Sequence, residues 1–460
     1  MPTMTREFRV HRSNRTLLTG GAMTAAALLS ACASHNAATP QMISGKYIAA
    51  LGDADMAASA FVTGELGTRD ASGKDTLTVI TLPIKEPETP FGQIEVSNSA
   101  LGPANAMAVT KDGRYAFVAE YRGHAPAGAT SVEQLPKGKS LTAVDLGSPT
   151  EPKIVDATAV GMEPSAVAIH PAGGLVAVVT AEPRHQIVMV EFKNGKFSGD
   201  PYAWPLLGLD DDGARASSVV WAPDGKSLAI TLPERGEVAF YRFKQDPNDE
   251  LAIRAWGLPV KVGSHPYSGA YTPDGKFLVV NDYKAGGDGD APGVGMPQGR
   301  VSVIKVAAAP ADDEPATAKA ATHVVTGFAN VGVQPIGLAV SHSGKLAATS
   351  NLLTSAFPDG DPRAQGAQTR GGSVSLLSIS GAGEIRTLGE YPINAVPAGL
   401  AFDSEDRFLA VTEFRSFDPS VIDGDIAFFQ IQGSGSGASL KQCDFWVGAG
   451  KGPHGVLIIR

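Results

Sequence analysis

A repeat that recurs seven times is the feature that most limits how this sequence can fold. One part of the repeat is a glycine followed by a short apolar segment. It begins at residues 45, 113, 173, 225, 275 and 344, and Asp406 replaces the glycine in the seventh copy. The other part alternates apolar and polar residues and covers residues 77–82, 141–146, 187–192, 238–243, 301–306, 374–379 and 426–431.

Each copy predicts four antiparallel strands, which we call a to d. An apolar pair such as Ala168-Ile169 precedes the glycine, and turns such as Ala222-Pro223-Asp224-Gly225 have the residues of a β-hairpin. Alternation with a period of two, as in 301–305, is typical of a half-buried strand. One four-stranded sheet cannot bury both faces, but seven stacked around an axis can. We therefore predict an all-β seven-bladed β-propeller of four-stranded antiparallel blades.

The two ends of the repeat array predict how the ring closes. The first strand b, from Gly45 onward, has no strand a before it. The chain ends on 452–459, which matches the strand a pattern and has no strand b after it. We expect this C-terminal strand to enter the first blade and close the ring.

Composition supports this class and excludes several functions. The chain has 53 glycines and 32 prolines, and only 18% of its residues are charged, which suits many short strands joined by turns. Its net charge of −9, without a basic stripe, argues against nucleic acid as a partner and against adhesion to anionic lipid by charge.

The N-terminus predicts export. Residues 1–31 combine several arginines with an apolar, alanine-rich run at 17–29, which is typical of a signal peptide. The run ends in Leu29-Ser30-Ala31-Cys32, which resembles the lipobox of bacterial lipoproteins. This resemblance implies a diacylated Cys32, residues 32–43 as a tether, and a propeller at 44–460. It also implies a periplasmic location with anchoring to a membrane, the outer membrane being favoured. Alternatives are ordinary cleavage near Ala31 or Ala33, and export by the twin-arginine route.

The hairpin motifs also resemble those of a known superfamily. Residues 273–281 read Pro-Asp-Gly-Lys-Phe-Leu-Val-Val-Asn, and 301–304 read Val-Ser-Val-Ile. Together they resemble the YVTN-type and lactonase-like propellers. That superfamily includes 6-phosphogluconolactonase-like proteins and the heavy chain of quinoprotein amine dehydrogenases. The resemblance covers the whole mature chain and implies the fold, because these residues form the hairpins and packing of every blade.

The long insertions predict where a site lies. All of them join strand b to strand c, at 53–75, 122–139, 284–299, 353–372 and 415–424. They therefore crowd one rim of the central channel, and insertions collected on one face usually build a binding surface.

Aligning the repeats gives the residues expected at that rim. The position entering strand a holds Pro103, Glu163, Arg215, His265, Gln334, Val396 and Gly452. Two places on stand Asn105, Ser165, Ser217, Tyr267, Ile336, Ala398 and His454, and the outgoing end of strand b holds Glu120, Thr180, Leu232, Asp282, Asn351, Glu413 and Gly52.

Roles are predicted from residue type. A histidine titrates near neutral pH and an arginine can stabilise an oxyanion, so the candidate catalytic residues are His265, Arg215 and His454. The candidate ligand-binding residues are Glu120, Glu163, Tyr267, Asp282, Gln334, Asn351 and Glu413.

The inserted loops also contain a pattern that suits a metal ion. Three of the inserted loops carry Asp-Gly-Asp, at 288–290, 359–361 and 423–425, so calcium is possible. Asp-Gly is also ordinary turn chemistry, and we assign no metal ligand.

Three functions remain open. The first is binding of a small polar ligand or a partner protein at the loop-rich face. The second, implied by the resemblance, is a lactonase-like hydrolase in which His265 or His454 activates water. The third is a subunit of a periplasmic redox enzyme.

Overall fold

Seven antiparallel sheets follow one another around a ring, as the repeat predicts. The computed structural model describes residues 10–12, 38–67, 72–86, 88–102, 105–209, 214–245, 251–283, 298–308, 322–358, 360–361, 371–417 and 424–460. The motif at 288–290 lies outside these residues, as does Cys32, and 359–361 and 423–425 are described only in part.

The strands follow the predicted order within each blade. In chain order they are β1 (Val10–Arg12), β2 (Tyr47–Gly52), β3 (Thr76–Thr81), β4 (Phe91–Glu95), β5 (Met107–Val109), β6 (Tyr115–Ala119), β7 (Ser140–Asp145), β8 (Lys153–Ala159), β9 (Ala166–Ile169), β10 (Leu175–Val179), β11 (Ile187–Lys193), β12 (Lys196–Trp204), β13 (Ser218–Trp221), β14 (Ser227–Leu232), β15 (Glu237–Gln245), β16 (Leu251–Ala255), β17 (Val260–Lys261), β18 (Pro266–Tyr271), β19 (Phe277–Asp282), β20 (Gly299–Lys305), β21 (Val324–Val331), β22 (Pro335–Val340), β23 (Leu346–Asn351), β24 (Gly372–Ile379), β25 (Ile385–Ile393), β26 (Ala395–Phe402), β27 (Phe408–Ser416), β28 (Gly424–Gln432), β29 (Ser439–Gly450) and β30 (Pro453–Ile459). A short helix, α1 (Ala60–Thr63), lies in the first b–c loop.

Blade 1 confirms the predicted closure. Its strand order is β30-β2-β3-β4, so the C-terminal strand is strand a of the first blade. The register pairs Ile48 with Ile458 and Ala50 with Val456. Blades 2 to 7 are β5–β8, β9–β12, β13–β16, β18–β21, β22–β25 and β26–β29. β17 also pairs with β15, and β1 pairs with β29.

The core lies between blades because each sheet buries both faces. In β2, Ile48 and Ala50 pack in the cluster shared with blade 7, whereas Ala49 and Leu51 pack in the cluster shared with blade 2. Equivalent clusters join every other pair of neighbouring blades in the part of the chain that the structure describes. Alternate residues of each strand therefore belong to two different cores, one on either face of the blade.

The a–b hairpins explain the repeated glycine. Gly113, Gly225 and Gly275 have φ of 77°, 71° and 70°, a left-handed conformation that glycine adopts without steric cost. Asp406 adopts it with φ 55° in blade 7. Its carboxylate accepts the backbone N–H groups of His342 and Ser343 in blade 6 at 2.8 and 2.7 Å. These bonds offset the strain and tie neighbouring hairpins together.

Two parts of the predicted leader and tether lie against the propeller. β1 adds a fifth strand to the outer edge of blade 7, where Val10 pairs with Val447. Residues 38–43 pack near the junction of blades 7 and 1, with Ile43 buried and Arg407 donating to the Met42 carbonyl at 3.0 Å. None of the helices in the described ranges is long and apolar enough to cross a bilayer.

Candidate functional site

Hydrogen bonds between neighbouring blades build the rim that the b–c loops share with the starts of the a strands. Ser165 Oγ donates to the Ala216 carbonyl and Ser217 Oγ to the Tyr267 carbonyl, each at 2.7 Å. These bonds join blade 3 to blade 4 and blade 4 to blade 5. The equivalent positions Tyr267, Ile336, Ala398 and His454 line one small cavity at the centre of the channel opening that this rim surrounds, which we call the mouth.

The centre of the mouth is covered and largely apolar. The first b–c loop lies across it, and Tyr283 Oη donates to the Phe61 carbonyl in α1 at 2.9 Å. The Phe61 ring meets the Phe414 ring edge-on at 5.2 Å, and Phe61 closes the cavity that contains His454. The first two b–c loops also pair with each other, since Leu66 N–H donates to the Thr130 carbonyl at 2.9 Å.

His454 is buried in this cavity rather than open to solvent. Its Nε2 lies 2.6 Å from Asn98 Oδ1. The Asn98 amide nitrogen donates to the carbonyls of Val96 and Gly52 at 3.0 and 3.2 Å, which fixes Oδ1 as the atom facing the ring. His454 Nε2–H is therefore the donor. Burial lowers the pKa of His454 to about 3, so the ring is neutral near pH 7.

A second, open pocket lies between blades 2, 3 and 4 at the same rim. Its volume is about 200 Å³, and its lining includes Tyr121, Glu163, Ser165, Arg215, Ser217, Glu234 and Tyr267. Three cations surround the buried Glu163 carboxylate. Arg122 Nη2 pairs with Oε1, Lys137 Nζ lies 3.4 Å from Oε2, and Arg215 Nη1 lies 3.8 Å from Oε2.

The balance of charge and exposure in this group favours an anion. Glu163 has a side chain 0% exposed, whereas those of Lys137 and Arg215 are 48% and 49% exposed. One carboxylate faces three cations, so the group carries two positive charges in excess, and Glu234 on the pocket wall offsets one of them. Arg122 Nε is buried without a hydrogen-bond partner.

The other predicted site residues also lie on the rim, but their contacts are with adjacent strands and loops and not with the pocket that contains Glu163. Asp282 accepts the backbone N–H groups of Ser264 and His265, both at 2.9 Å, and lies 3.5 Å from Arg300 Nη2. His265 in turn accepts the Tyr283 N–H through its carbonyl. Neither His265 nor His454 lines the pocket that contains Glu163 and Arg215.

The remaining predicted residues hold strand ends and loops. Gln334 Nε2 donates to Tyr283 Oη at 3.3 Å. Asn351 Nδ2 donates to the hydroxyls of Ser373 and Ser375 at 2.9 and 3.0 Å. Glu120 accepts the Ser140 hydroxyl at 3.0 Å, and Glu413 is buried where β27 pairs with β26. The structure thus brings Glu163, Arg215 and Tyr267 to one pocket and Tyr267 and His454 to the central cavity, and it leaves the other predicted site residues outside both.

Sequence reasoning missed two of the cations and a cluster of acids. Arg122 and Lys137 belong to the b–c loop of blade 2 and have no repeat equivalents, so aligning the copies could not place them. Asp53, Asp55 and Asp75 are the described residues grouped closely enough to hold a metal ion. The sequence did contain a pattern that indicates this cluster, because Asp53 and Asp55 lie at the start of the inserted segment 53–75 and Asp75 lies at its end.

Comparison with known proteins identifies the fold. No protein-family model matches the sequence, and no curated protein does. Among solved structures, a periplasmic gluconolactonase from Pseudomonas aeruginosa is similar, with a TM-score of 0.55 and 14% identity over 90% of this chain and 99% of that one. A candidate 6-phosphogluconolactonase from Bacteroides uniformis has a TM-score of 0.55 and 13% identity over 89% and 99%. A protein of unknown function from Desulfotomaculum acetoxidans has a TM-score of 0.54 and 14% identity over 84% and 96%. The chain therefore has the fold of the lactonase-like seven-bladed propellers.

Proposed function

We propose that this chain binds a small anionic molecule in the pocket between blades 2, 3 and 4. The observation that carries the proposal is the grouping of Arg122, Lys137 and Arg215 around the single buried carboxylate of Glu163. The buried carboxylate orients the cations, and Arg215, which lines the pocket and is half exposed, keeps donors available to a ligand there. Arginine and lysine are the side chains that bind carboxylate and phosphate groups best.

The rest of the pocket suits a polar ligand of modest size. A volume of about 200 Å³ fits a molecule with the size of a sugar acid rather than a macromolecular segment. The aromatic walls are Tyr121 and Tyr267, and burial raises the pKa of Tyr267, so its hydroxyl stays protonated. An acid or phosphate ester of a sugar would place its anion on Arg215 and its hydroxyls against the pocket wall.

Arg215→Ala tests this site. We expect wild type to bind gluconate and 6-phosphogluconate but not glucose, and the variant to bind the anions about 10- to 100-fold more weakly, because a charge-assisted hydrogen bond is lost. Titration calorimetry measures both. Arg254→Ala, at an exposed position on β16, is the matched control. Equal affinities of wild type and Arg215→Ala would contradict the site.

Lactone hydrolysis is the second candidate, favoured by the presence of Glu234 and Arg215 in one pocket. Water would attack the lactone carbonyl while Glu234 accepts its proton and Arg215 stabilises the oxyanion. The ring C–O bond then breaks, and the proton passes to the leaving alkoxide to give the hydroxy acid. Of the solved structures with the same fold, one is a periplasmic gluconolactonase and another a candidate 6-phosphogluconolactonase. To distinguish turnover from binding, the lactones of gluconate and 6-phosphogluconate are supplied as substrates and the release of acid is measured.

We also propose that the chain is exported and anchored through a lipid on Cys32. The support is the sequence Leu29-Ser30-Ala31-Cys32 after an apolar run. Expression with labelled palmitate in a bacterial host is expected to label wild type and leave Cys32→Ser unlabelled. Equal labelling of the two proteins, or none of either, would contradict the anchor.

A further inference from the structure

Three aspartates that the proposed function does not use meet at the base of the first b–c loop. Asp53 follows β2 directly, Asp55 lies two residues on, and Asp75 directly precedes β3. Each offers a carboxylate oxygen, and these oxygens lie within 4.8 Å of one another. All three residues are buried, with exposures of 1%, 3% and 6%.

Backbone groups from several segments fix these carboxylates in place. Asp53 Oδ2 accepts the Ala100 N–H at 2.7 Å from the crossover into blade 2. Asp55 Oδ2 accepts the Ala125 N–H at 2.8 Å from the b–c loop of blade 2. Asp75 accepts the N–H groups of Ala54 and Asn98 at 3.2 and 3.3 Å. The carboxylates are therefore held together by the fold and do not meet by chance on a mobile surface.

One oxygen of the cluster has no protein donor. Asp53 Oδ1 is buried without a hydrogen-bond partner. The Asp55 carboxyl lies close enough to the Asp53 carboxyl to share a hydrogen bond, which forms only when one of the two carboxyls holds a proton. A buried acceptor without a donor costs about 1–3 kcal/mol, and more when it is charged, unless a ligand satisfies it.

The nearby cations do not neutralise the negative charge of the three aspartates. His124 Nδ1 lies 2.7 Å from Asp55 Oδ2, and its side chain is 54% exposed. Lys74, next to Asp75 in sequence, pairs with Glu95 at 2.7 Å. Burial first, and then the charge of Asp75, raise the pKa of Asp53 well above its usual range. Burial raises the pKa of Asp75 to about 7. Three carboxylates thus face at most one histidine charge.

We propose that Asp53, Asp55 and Asp75 bind one Ca²⁺ ion. Hard cations take carboxylate oxygens, and a Ca–O distance of about 2.3–2.6 Å allows ligands up to roughly 4.6–5.2 Å apart, which covers the spacing here. An open pocket of about 240 Å³, lined in part by Asp75 and His124, reaches the cluster from solvent. It gives the ion an entry path and room for the waters that complete its coordination.

The ion would act as a clamp at the point where the ring closes. Asp53 N–H donates to the Gly452 carbonyl just before β30, and Ala100 and Ala125 belong to the segments around the mouth. The ion would therefore join the closing strand, the first b–c loop and the second blade. This role goes beyond ligand binding in the pocket near Glu163 and does not depend on it.

Calcium binding and thermal unfolding test the site in the full chain after treatment with EDTA. We expect one Ca²⁺ bound per chain by titration calorimetry, and a rise in Tm of roughly 3 °C or more at 100 times the Kd. Asp53→Asn and Asp75→Asn should each weaken binding by about 10-fold or more, since each removes a charged ligand. Asp200→Asn, on an exposed stretch of β12, is the matched control and should bind as wild type does.

Three outcomes would overturn the proposal. If the carboxylates share a proton instead of a metal, CaCl₂ leaves Tm unchanged and Asp53→Asn raises Tm by relieving repulsion. If calcium binds at an Asp-Gly-Asp loop, both asparagine variants keep the full stoichiometry and affinity. If MgCl₂ raises Tm as much as CaCl₂ at equal concentration, the choice of calcium is wrong.

Discussion

A chain that ends at Gly452, without the last eight residues, is expected to lose its cooperative folding. Those residues include β30, the innermost strand of blade 1, which pairs along the full length of β2. Burying Val456 and Ile458 contributes about 1.5–3 kcal/mol each, and the half-buried Leu457 and Ile459 contribute less, which gives roughly 4–9 kcal/mol in total. The stability of a whole domain is about 5–15 kcal/mol, so the loss is comparable with it.

The position of β30 next to the central channel makes the loss larger than that of an outer strand such as β4. β30 packs beside β26 of blade 7, where a Cβ at Gly399 would lie 2.7 Å from the His454 carbonyl. Val456 and Ile458 belong to the core that joins blade 7 to blade 1. Deleting the strand therefore exposes β2 and opens that core at the same time.

Two further chains make the experiment decisive. A chain that starts at residue 38 loses, among described residues, only the outer strand β1, and we expect it to fold. A circular permutant that begins with 453–460 joined to residue 44 keeps every strand of the ring and should also fold, because Lys46 N–H already meets the Ile459 carbonyl at 2.6 Å. Circular dichroism during heating measures all three. A cooperative transition near that of wild type in the truncated chain would contradict the closure.

The closure could be predicted from sequence because strand patterns are local. Apolar and polar alternation, together with the residues of the a–b hairpins, is contained in about twenty residues of each copy. The observed bounds of the strands are close to the predicted ones. In blade 5, for example, strand c is predicted at 301–306 and observed at Gly299–Lys305. The missing strand a at one end and the extra one at the other are visible as soon as the copies are aligned.

The candidate site could be predicted only in position. Repeat symmetry places a residue on the rim, and three of the residues selected in this way, Glu163, Arg215 and Tyr267, line one pocket. It does not fix which neighbour a side chain contacts, so His265 and Asn351 lie on the rim without entering that pocket. Inserted loops have no equivalents in other blades, so the path of Phe61 over the mouth and the approach of Lys137 to Glu163 required the structure.

Acid is expected to destabilise the fold through His454. The side chain is buried among Phe61, Tyr267 and other apolar neighbours, and its hydrogen-bond partner is Asn98. Burial lowers the pKa of His454 in the folded state to about 3, whereas an unfolded histidine has a pKa of about 6.5. The unfolded state therefore takes up the proton first. The contribution of the neutral His454 side chain to the free energy of unfolding is complete above about pH 6.5 and declines as the pH falls towards 3.

The size of the effect follows from the same two values. At pH 5 the unfolded chain gains about 2 kcal/mol relative to the folded one from this single group. His454→Gln should remove that dependence, because the amide can still donate to Asn98 Oδ1 but does not titrate. We expect the free energy of unfolding of wild type to fall relative to the variant by this amount between pH 7 and pH 5, as measured by urea denaturation.

Other groups titrate in the same window, and the comparison is designed to cancel them. Burial lowers the pKa of His323 and of His342, which adds acid sensitivity of the same sign to both proteins. The raised pKa values of Asp53 and Asp75 act in the opposite direction, since those groups destabilise the fold as the pH rises, again in both proteins. The exposed His185→Gln is the control for the substitution itself. Parallel stability curves for wild type and His454→Gln from pH 7 to pH 5 would show that His454 does not remain a neutral, buried donor. Divergence of the two curves below pH 6.5 would instead link acid sensitivity to the bond that joins the closing strand to the crossover between blades 1 and 2.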